Sequence, residues 1–333
     1  MSGASARIAW LDGPGELVWR EEALEVPGYG EVLCETVVTA ISPGTELAAW
    51  RGAPPLRPGN PYPRVQGYCN VAKVLSVGEG FESLAPGDHV LTLQSHRSHF
   101  TLKASDTFCR VPEGAALDRV AAAYLFHLGY NASLRSDVRP GHRVAVIGLG
   151  ALGLTSVAMA KQAGAEVHAI SDHDAPSAIA KGYGAAARHT RAEAEGLAGE
   201  TGPDVIILTT NSWEDMALAQ RIARKNAMIA CLGFPGREQP PGDYNPLAAE
   251  HFYNKQLRIE AVGASPLEND ARGFNRFNVR DNLAFLVGRI AGGTLDAAPL
   301  LSGRYRAGDL AQAYEDLATR KDNAITYLLD WTE

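Results

Sequence analysis

The sequence predicts an α/β protein of two domains, in which a doubly wound parallel sheet follows a β-rich region. Three observations support this fold class. A chain of 333 residues exceeds the size at which a single hydrophobic core stops growing. Up to about residue 110, short apolar runs alternate with Gly and Pro, which is typical of antiparallel strands. From Asp118 onward apolar strands alternate with helical patterns, which is typical of a parallel sheet covered by helices.

The individual elements follow from the spacing of the apolar residues. In the first region we expect strands at residues 31–40, 71–77 and 89–93, and little helix. In the second region we expect helices at residues 120–134, 152–162, 213–224 and 282–291, with an Ala-rich helix ending near Gly182. The strands expected there are residues 144–147, 166–170, 205–209, 227–232, 257–262 and 324–329.

Composition and charge restrict the possible partners. The formal net charge is -7 and no long basic run occurs, so nucleic acid and anionic membrane surfaces are not expected partners. A small-molecule substrate is the expected partner. The first residues lack the apolar stretch of a secretory signal, and no apolar run has the length of a bilayer span, so a cytoplasmic protein is expected. The four cysteines are scattered, which favours reduced thiols over disulfides.

The strongest local motif is a G-x-G-x-x-G turn between an apolar strand and an apolar helix. Gly148 permits the tight turn, Gly150 allows a pyrophosphate to approach the backbone, and Gly153 allows helix and strand to pack closely. The free N–H groups at the helix start face the phosphates. The motif predicts a dinucleotide-binding site formed by Gly148, Leu149, Gly150, Ala151, Leu152 and Gly153.

The residues after the second strand of this sheet bear on the choice between NAD and NADP. A carboxylate here would bind the adenosine ribose and repel a 2'-phosphate, so Asp172 and Asp174 favour NAD. Counting back from the following Gly-Ala turn, however, places Ser171 at the carboxylate position, and Ser is common where a 2'-phosphate binds. No Arg follows within the loop. Ser171, Asp172 and His173 are therefore candidate ribose contacts, with NAD preferred and NADP possible.

Two further strand ends are candidate cofactor contacts. Ligands of open α/β sheets bind at the carboxyl ends of the strands. The predicted strands at 205–209 and 227–232 end there with polar or small residues. We therefore expect Thr209, Thr210, Asn211, Leu232 and Gly233 to face the dinucleotide.

With these features the chain resembles the medium-chain dehydrogenase/reductase family over essentially its whole length. The supporting phrases are Pro86-Gly-Asp-His-Val90, the glycine turn, Leu257-Arg-Ile-Glu-Ala-Val-Gly263 and Gly293-Thr-Leu-Asp-Ala-Ala-Pro299. The resemblance implies a GroES-like catalytic domain formed by residues 1–118 and 268–333, and a Rossmann domain formed by residues 119–267. It also implies a homodimer that pairs through the edge of the Rossmann sheet.

The sequence departs from the zinc-dependent members at both ligand phrases. Their C-G-T-D phrase reads Ile41-Ser-Pro-Gly-Thr-Glu-Leu47 here, and their G-H-E phrase reads Gly67-Tyr-Cys-Asn70. Neither the thiolate nor the imidazole of a catalytic zinc site is in place, and the lobe that binds structural zinc lacks its cysteines. His96 and His99 alone make a poor zinc site and are expected in a loop or lining a cleft. These departures resemble a metal-free subgroup that includes bacteriochlorophyllide hydroxyethyl dehydrogenases.

Without zinc, hydrogen-bond donors must stabilise the alkoxide that develops during hydride transfer. The resemblance implies that Thr45 matches a relay hydroxyl, that Glu46 matches the acidic residue after it, and that Tyr68 replaces the ligand His. His127 lies near the third ligand position and is a candidate acid or base. Each has a structural alternative: Tyr68 as packing, Thr45 as a turn hydroxyl, Glu46 as a structural carboxylate and His127 as a core side chain.

Three functions remain open from the sequence. The first is a zinc-independent oxidoreductase that moves a hydride between a nicotinamide and a secondary alcohol or ketone. The second is a quinone or enoyl reductase, which needs an oxyanion pocket but no strong acid. The third is a dinucleotide-binding protein without turnover, because a fold alone does not confer activity.

Overall fold

The structure is a computed structural model that describes residues 5–56, 59–240 and 244–332. Its strands are β1 (Ser5–Gly13), β2 (Glu16–Ala23), β3 (Glu31–Ala40), β4 (Arg64–Val65), β5 (Asn70–Val77), β6 (His89–Thr92), β7 (His99–Lys103), β8 (Phe108–Arg110), β9 (Arg143–Ile147), β10 (Glu166–Ile170), β11 (Ala187–His189), β12 (Val205–Leu208), β13 (Met228–Cys231), β14 (Arg258–Ala261), β15 (Leu301–Arg306) and β16 (Thr326–Asp330). Its α-helices are α1 (Pro43–Arg51), α2 (Leu117–Ala121), α3 (Ala123–Arg135), α4 (Ala151–Gln162), α5 (Asp174–Gly182), α6 (Arg191–Ala194), α7 (Trp213–Ile222), α8 (Val279–Ala291) and α9 (Leu310–Ala318).

The described residues form two compact units, divided after Tyr124 and after Ser265. The first unit contains the residues up to Tyr124 and those from Pro266 on. The second unit is Leu125–Ser265.

The first unit is built on two sheets. The larger sheet has the strand order β15-β16-β3-β5-β6-β8, with β7 also paired to β3, and the smaller has the order β2-β1-β4. Most of these strands pair in the antiparallel sense, while β15 and β16 are parallel. Inward-facing side chains of β3, β5 and β7 form one apolar core, which includes Val32, Val74 and Leu102. The predicted β-rich first region is confirmed.

Two helices of the first unit were not expected from the sequence. Helix α1 begins with Pro43 at its first turn and ends at Gly52, which has the left-handed φ of 71° that closes a helix. These are the proline and glycine signals of a helix start and stop, although Gly44 weakens the helical pattern between them. Helix α9 packs its apolar face, including Leu310, Tyr314 and Leu317, into a core with β1 and β16.

The second unit contains a six-stranded parallel sheet within the described residues, in the order β11-β10-β9-β12-β13-β14. The central strands are apolar on both faces because helices cover both sides, so β9 and β12 are almost fully buried. The strand order reverses between β10 and β12 on either side of β9, which places the switch point of the sheet directly after β9. The predicted α/β fold, a Rossmann sheet with a β-rich domain, is confirmed.

The helix predicted at residues 120–134 is interrupted. Ala122 ends α2 with φ near -82° and ψ near -2°, and its N–H donates to the carbonyl of Arg119 rather than one residue further back. A new helix, α3, then starts at Ala123. No composition signal marks this break, because Ala is the best helix former on either side of it. Among the described residues, no helix is long and apolar enough to cross a membrane.

Candidate functional site

The glycine turn after β9 has the geometry that the motif predicts. Gly148 has a φ of +89°, and a Cβ there would lie 2.4 Å from Cγ2 of Thr210. A Cβ on Gly153 would lie 1.8 Å from the carbonyl oxygen of Gly148, so the helix packs directly on the turn. At Gly150, by contrast, nothing described lies within 4 Å of the added atom. The base of the turn, at Gly148 and Gly153, is therefore closely packed, and its tip, at Gly150, is open.

The open tip coincides with the first turn of helix α4. Gly150 is the N-cap residue and provides no side-chain cap, so the helix N–H groups that follow keep their hydrogen-bonding capacity for a ligand. Leu149 and Ala151 are buried beneath the turn, and Leu152 is half-buried. A helix start with free donors and an open approach fits the pyrophosphate of a dinucleotide.

The two threonines after β12 have different roles. Oγ1 of Thr209 donates to the carbonyl oxygens of Ile147 and Gly148 at 3.0 Å each, which stabilises the glycine turn. Oγ1 of Thr210 is buried and has no hydrogen-bond partner within the described residues. A buried hydroxyl without a partner is costly. Its position beside the turn therefore fits a contact to the nucleotide.

The other three strand-end residues, Asn211, Leu232 and Gly233, are held by hydrogen bonds within the protein. Oδ1 of Asn211 accepts the N–H of Phe234 at 3.1 Å, and the Asn211 carbonyl accepts the N–H of Gly236. Asn211 therefore joins the loops after β12 and β13, which is a structural use of its side chain. Leu232 and Gly233 both donate their N–H groups to Leu208, and a Cβ on Gly233 would lie 2.2 Å from the Thr210 carbonyl oxygen.

One of the ribose candidates after β10, Asp172, binds a cation that the sequence analysis did not identify, Arg191. Oδ1 of Asp172 accepts the N–H of Arg191, and Oδ2 accepts from Nη1 of Arg191 at 2.7 Å. These hydrogen bonds hold the pKa of Asp172 below its ordinary value. The same guanidinium binds both oxygens of Asp215, at 2.6 and 2.9 Å. Arg191 comes from the start of α6, 19 positions along the chain from Asp172.

Ser171 and His173 lie on either side of Asp172 in the chain. Oγ of Ser171 accepts the N–H of His173 at 3.2 Å and is itself buried. His173 is the N-cap residue of α5 and its side chain is exposed. Ser171, Asp172 and His173 therefore lie together at the carboxyl end of β10, as ribose contacts should.

Tyr68 lies in a cluster of hydroxyls and aromatic rings in the first unit. Its phenol donates to Oγ of Ser42 and is also hydrogen-bonded to the hydroxyl of Thr45. Burial and the neighbouring Cys69 raise the pKa of Tyr68 well above its ordinary value, which the two hydroxyls only partly offset. The phenol therefore stays protonated at neutral pH and is a hydrogen-bond donor. Thr45 is exposed on the first turn of α1.

The sequence did not single out Tyr124, which packs against Tyr68. The two rings lie edge to face, with centroids 5.1 Å apart and planes at 67°. Burial raises the pKa of Tyr124 to about 12. Tyr124 precedes His127 by three residues. An aromatic residue within an Ala-rich stretch was the sequence signal that could have identified Tyr124 as a site residue.

Glu46 is buried rather than open to a substrate. Its carboxylate is 1% exposed and accepts hydrogen bonds from the backbone N–H of Ser42, the His96 ring and the Tyr314 hydroxyl. His96 was expected in a loop or lining a cleft. It does lie in a loop, but its ring is completely buried against Glu46, so the cleft-lining alternative is wrong. His99 lies at the start of β7 near Glu35.

His127 is 2% exposed within the second unit. Burial lowers its pKa to about 4, because the apolar surroundings disfavour the charged ring. The ring is therefore neutral at pH 7 and cannot donate a proton as an imidazolium. The prediction of His127 as an acid is not supported by this environment.

The side chains around Tyr68 do not fit a catalytic zinc ion. In residues 5–56, 59–240 and 244–332, no group of three or more His, Cys, Asp or Glu side chains could hold a metal. The cluster offers hydroxyls and phenols, which are poor zinc ligands. Its one thiol, Cys69, is fully buried and belongs to no group of three such side chains among the described residues.

The chain is similar to several known dehydrogenases. L-galactonate-5-dehydrogenase of Escherichia coli is 29% identical over 182 residues, which cover 46% of this chain and 52% of that protein. A 2-desacetyl-2-hydroxyethyl bacteriochlorophyllide A dehydrogenase of Rhodobacter capsulatus is 30% identical over 155 residues, 41% of this chain and 48% of that protein. The matched segment thus spans about half the length of each of these relatives. A structure from Sinorhizobium meliloti, described as a zinc-binding dehydrogenase bound to NADP, has a TM-score of 0.79 at 17% identity, with 98% of this chain and 100% of that chain covered.

A family model described as zinc-binding dehydrogenase matches residues 151–273, which begin at helix α4 and include most of the Rossmann sheet. The matched segment of this chain is therefore similar to zinc-binding dehydrogenases.

Proposed function

We propose that the protein is a zinc-independent, NAD-dependent oxidoreductase that interconverts a secondary alcohol and a ketone of a small organic substrate. The observation that carries this proposal is Tyr68. Its protonated phenol lies among hydroxyls in place of the ligand His of zinc-dependent members. Both relatives named above are dehydrogenases of hydroxyl-bearing substrates by name, which supports alcohol chemistry.

The bound nicotinamide would accept or supply the hydride. In the direction of ketone reduction, the Tyr68 phenol donates a hydrogen bond and then its proton to the developing alkoxide. In the structure, the hydroxyl oxygen of Ser42 accepts a hydrogen bond from the Tyr68 phenol and so orients it. Because Thr45 is exposed and also hydrogen-bonds to Tyr68, it returns the proton from solvent. Oxidation of the alcohol runs through the same groups in reverse.

The residues present fit a dinucleotide. The open backbone at Gly150 and the start of α4 would hold the pyrophosphate, and Thr210 would gain the hydrogen-bond partner that it lacks. Asp172, Arg191 and Asp215 together carry one net negative charge, which disfavours the 2'-phosphate of NADP. We therefore propose NAD as the preferred cofactor, although Arg191 brings a cation to the same place.

A panel of substrates tests the reaction class. The purified protein is supplied with NADH and with methyl or cyclic ketones, quinones or activated enones, and the nicotinamide absorbance is followed. We expect turnover with ketones, and with NAD⁺ and secondary alcohols in reverse. Reduction of enones or quinones alone would show the C=C or quinone reductase alternative instead. Tight NADH binding without turnover on any class would favour a dinucleotide-binding protein.

We also propose a homodimer that pairs through β14. This strand lies at one end of the parallel sheet and is paired only to β13 among the described strands, so its other edge offers N–H and C=O groups to a second copy. Light scattering during size-exclusion chromatography should give about twice the chain mass of 35.5 kDa. A mass of one chain would contradict this proposal.

A further inference from the structure

The first unit contains a buried acid and imidazole pair that the proposed reaction does not use directly. Nε2 of His96 lies 2.8 Å from Oε2 of Glu46, and both side chains are at most 1% exposed. Nδ1 of His96 lies 2.8 Å from Oγ1 of Thr39. The Tyr314 hydroxyl donates to the same Glu46 oxygen at 2.7 Å. Buried polar groups are tolerated when they are fully hydrogen-bonded, and this pair meets that condition.

The Thr39 hydroxyl that meets His96 also accepts a hydrogen bond from a tryptophan ring. Nε1 of Trp331 donates to Oγ1 of Thr39 at 3.1 Å. Oγ1 of Thr39 keeps its own proton and a second lone pair for Nδ1 of His96, and Nε2 of the ring faces the Glu46 carboxyl group. Both ring nitrogens of His96 therefore have a hydrogen-bond partner.

The His96 ring fixes the chain immediately before Tyr68. Gly67 has a φ of +87°, and a Cβ there would lie 2.7 Å from three atoms of the His96 ring. The ring therefore lies directly against the Gly67 backbone, where only glycine fits. The backbone N–H of His96 also donates to the carbonyl of Gln66 at 2.7 Å. The main-chain end of Tyr68 is set by these contacts.

The Glu46 carboxylate fixes the other end of Tyr68. Its Oε1 accepts the backbone N–H of Ser42 at 2.7 Å, and the Glu46 N–H donates to the Ser42 carbonyl at 3.0 Å. Oγ of the same serine accepts the Tyr68 phenol. The pair thus reaches Tyr68 at its backbone through His96 and at its hydroxyl through Glu46.

We propose that Glu46 and His96 are positioning residues that hold the Tyr68 phenol in its working orientation. The inference rests on the proposed role of Tyr68 as the proton donor. A misplaced catalytic group loses rate even when it is chemically intact, so loosening this pair should lower kcat and leave NADH binding unchanged.

The first test does not depend on turnover. Protein labelled with ¹³C at tyrosine Cζ gives resonances for its 11 tyrosines, and the one lost in Tyr68→Phe identifies Tyr68. We expect His96→Gln to shift or broaden that resonance. The control His99→Gln, at a partly exposed histidine of the same unit, should leave it in place. An unmoved Tyr68 resonance in His96→Gln would overturn the inference, whatever the enzyme's substrate.

The second test is a double-mutant cycle on kcat. His96→Gln should lower kcat about tenfold with KM for NADH changed less than about twofold. In the Tyr68→Phe background, His96→Gln should change kcat less than about twofold, because the hydroxyl that His96 positions is already missing. Equal effects in both backgrounds would show that His96 acts independently of Tyr68, and would reject the positioning role.

Thr39→Val serves where His96→Gln fails to fold. It removes the hydrogen bond to Nδ1 of His96 and keeps the shape of a β-branched side chain in β3. We expect Thr39→Val also to move the Tyr68 resonance and to lower kcat, but by a smaller factor of about threefold. If no ketone or alcohol is turned over but the Tyr68 resonance moves, the proposed function fails and the positioning pair stands. If turnover occurs and the Tyr68 resonance does not move, the proposed function stands and the positioning role of the pair fails.

Discussion

The glycine turn of the second unit and the Tyr68 cluster of the first are built in opposite ways. At the turn, side chains are missing: Gly153 packs on backbone, and Gly150 leaves open space where a phosphate can approach. Around Tyr68 the space is filled by Ser42, Thr45 and Tyr124. In the proposed function, cofactor binding depends on the missing side chains of the glycine turn, and hydride chemistry depends on the hydroxyl groups around Tyr68. Changes in the two regions should have separable effects on binding and on rate.

The largest effect should come from adding one carbon to the turn. In Gly153→Ala the new Cβ would meet the Gly148 carbonyl oxygen at 1.8 Å, so the strand-to-helix packing must move. We expect a loss of more than about 3 kcal/mol in the free energy of unfolding, measured by urea denaturation. Gly150→Ala is the matched control for packing, since its Cβ meets nothing. It should unfold at the wild-type urea concentration and bind NADH at least tenfold more weakly. Equal instability of both variants would contradict the division between a closed base and an open tip.

Removing one oxygen from the cluster should lower the rate without affecting the nucleotide. Tyr68→Phe keeps the ring against Tyr124 and deletes the proposed proton donor, so kcat for ketone reduction should fall by about 10² to 10⁴ with the Kd of NADH unchanged. Tyr124→Phe keeps the same ring contact and should change kcat much less. Steady-state kinetics and NADH fluorescence measure the two quantities. Full turnover by Tyr68→Phe would remove Tyr68 from the mechanism.

His127 shows what burial alone does to a polar side chain of the cofactor-binding unit. Its pKa is about 4 in the folded protein, below the ordinary value of 6.5 that applies to the unfolded chain. The unfolded state therefore binds the proton first, so stability is retained above about pH 6.5 and lost as the pH falls toward 4. The loss assigned to His127 is on the order of 3 kcal/mol. Urea denaturation at several pH values should show a shallower decline in His127→Gln, and an identical decline would contradict the assignment.

The smallest effect concerns cofactor choice. Asp172→Ser removes one of the two carboxylates bound to Arg191, which frees part of the guanidinium for a 2'-phosphate. The ratio of the Kd values for NADPH and NADH should fall about tenfold. Asp174→Ser removes an equal charge that is not bound to Arg191 in any described contact, and serves as the control. A similar shift in both variants would indicate general charge rather than this contact.

The sequence predicted the glycine turn well because its parts are adjacent in the chain. Gly148, Gly150 and Gly153 must act within a few residues of each other, so a motif is enough to place them. The same locality explains why β9, β10 and β12 were predicted within a residue or two. It also explains the failure at α2 and α3, where a break at Ala122 leaves no trace in composition.

The contacts that define the candidate chemistry join distant residues. Glu46 meets His96 across 50 positions and Tyr314 across 268, and Arg191 reaches Asp172 across 19. The sequence could offer Tyr68, Thr45 and Glu46 as candidates by resemblance. It could not tell that Glu46 is buried, since burial is decided by what the rest of the chain places around it.

In the proposed reaction, hydride transfer needs a tyrosine and no zinc. The most direct measurement is the ketone reductase rate of protein with metal content determined, before and after dialysis against a strong chelator. We expect substoichiometric zinc and an unchanged rate. Stoichiometric zinc, with activity lost on chelation and restored by Zn²⁺, would contradict the proposed reaction.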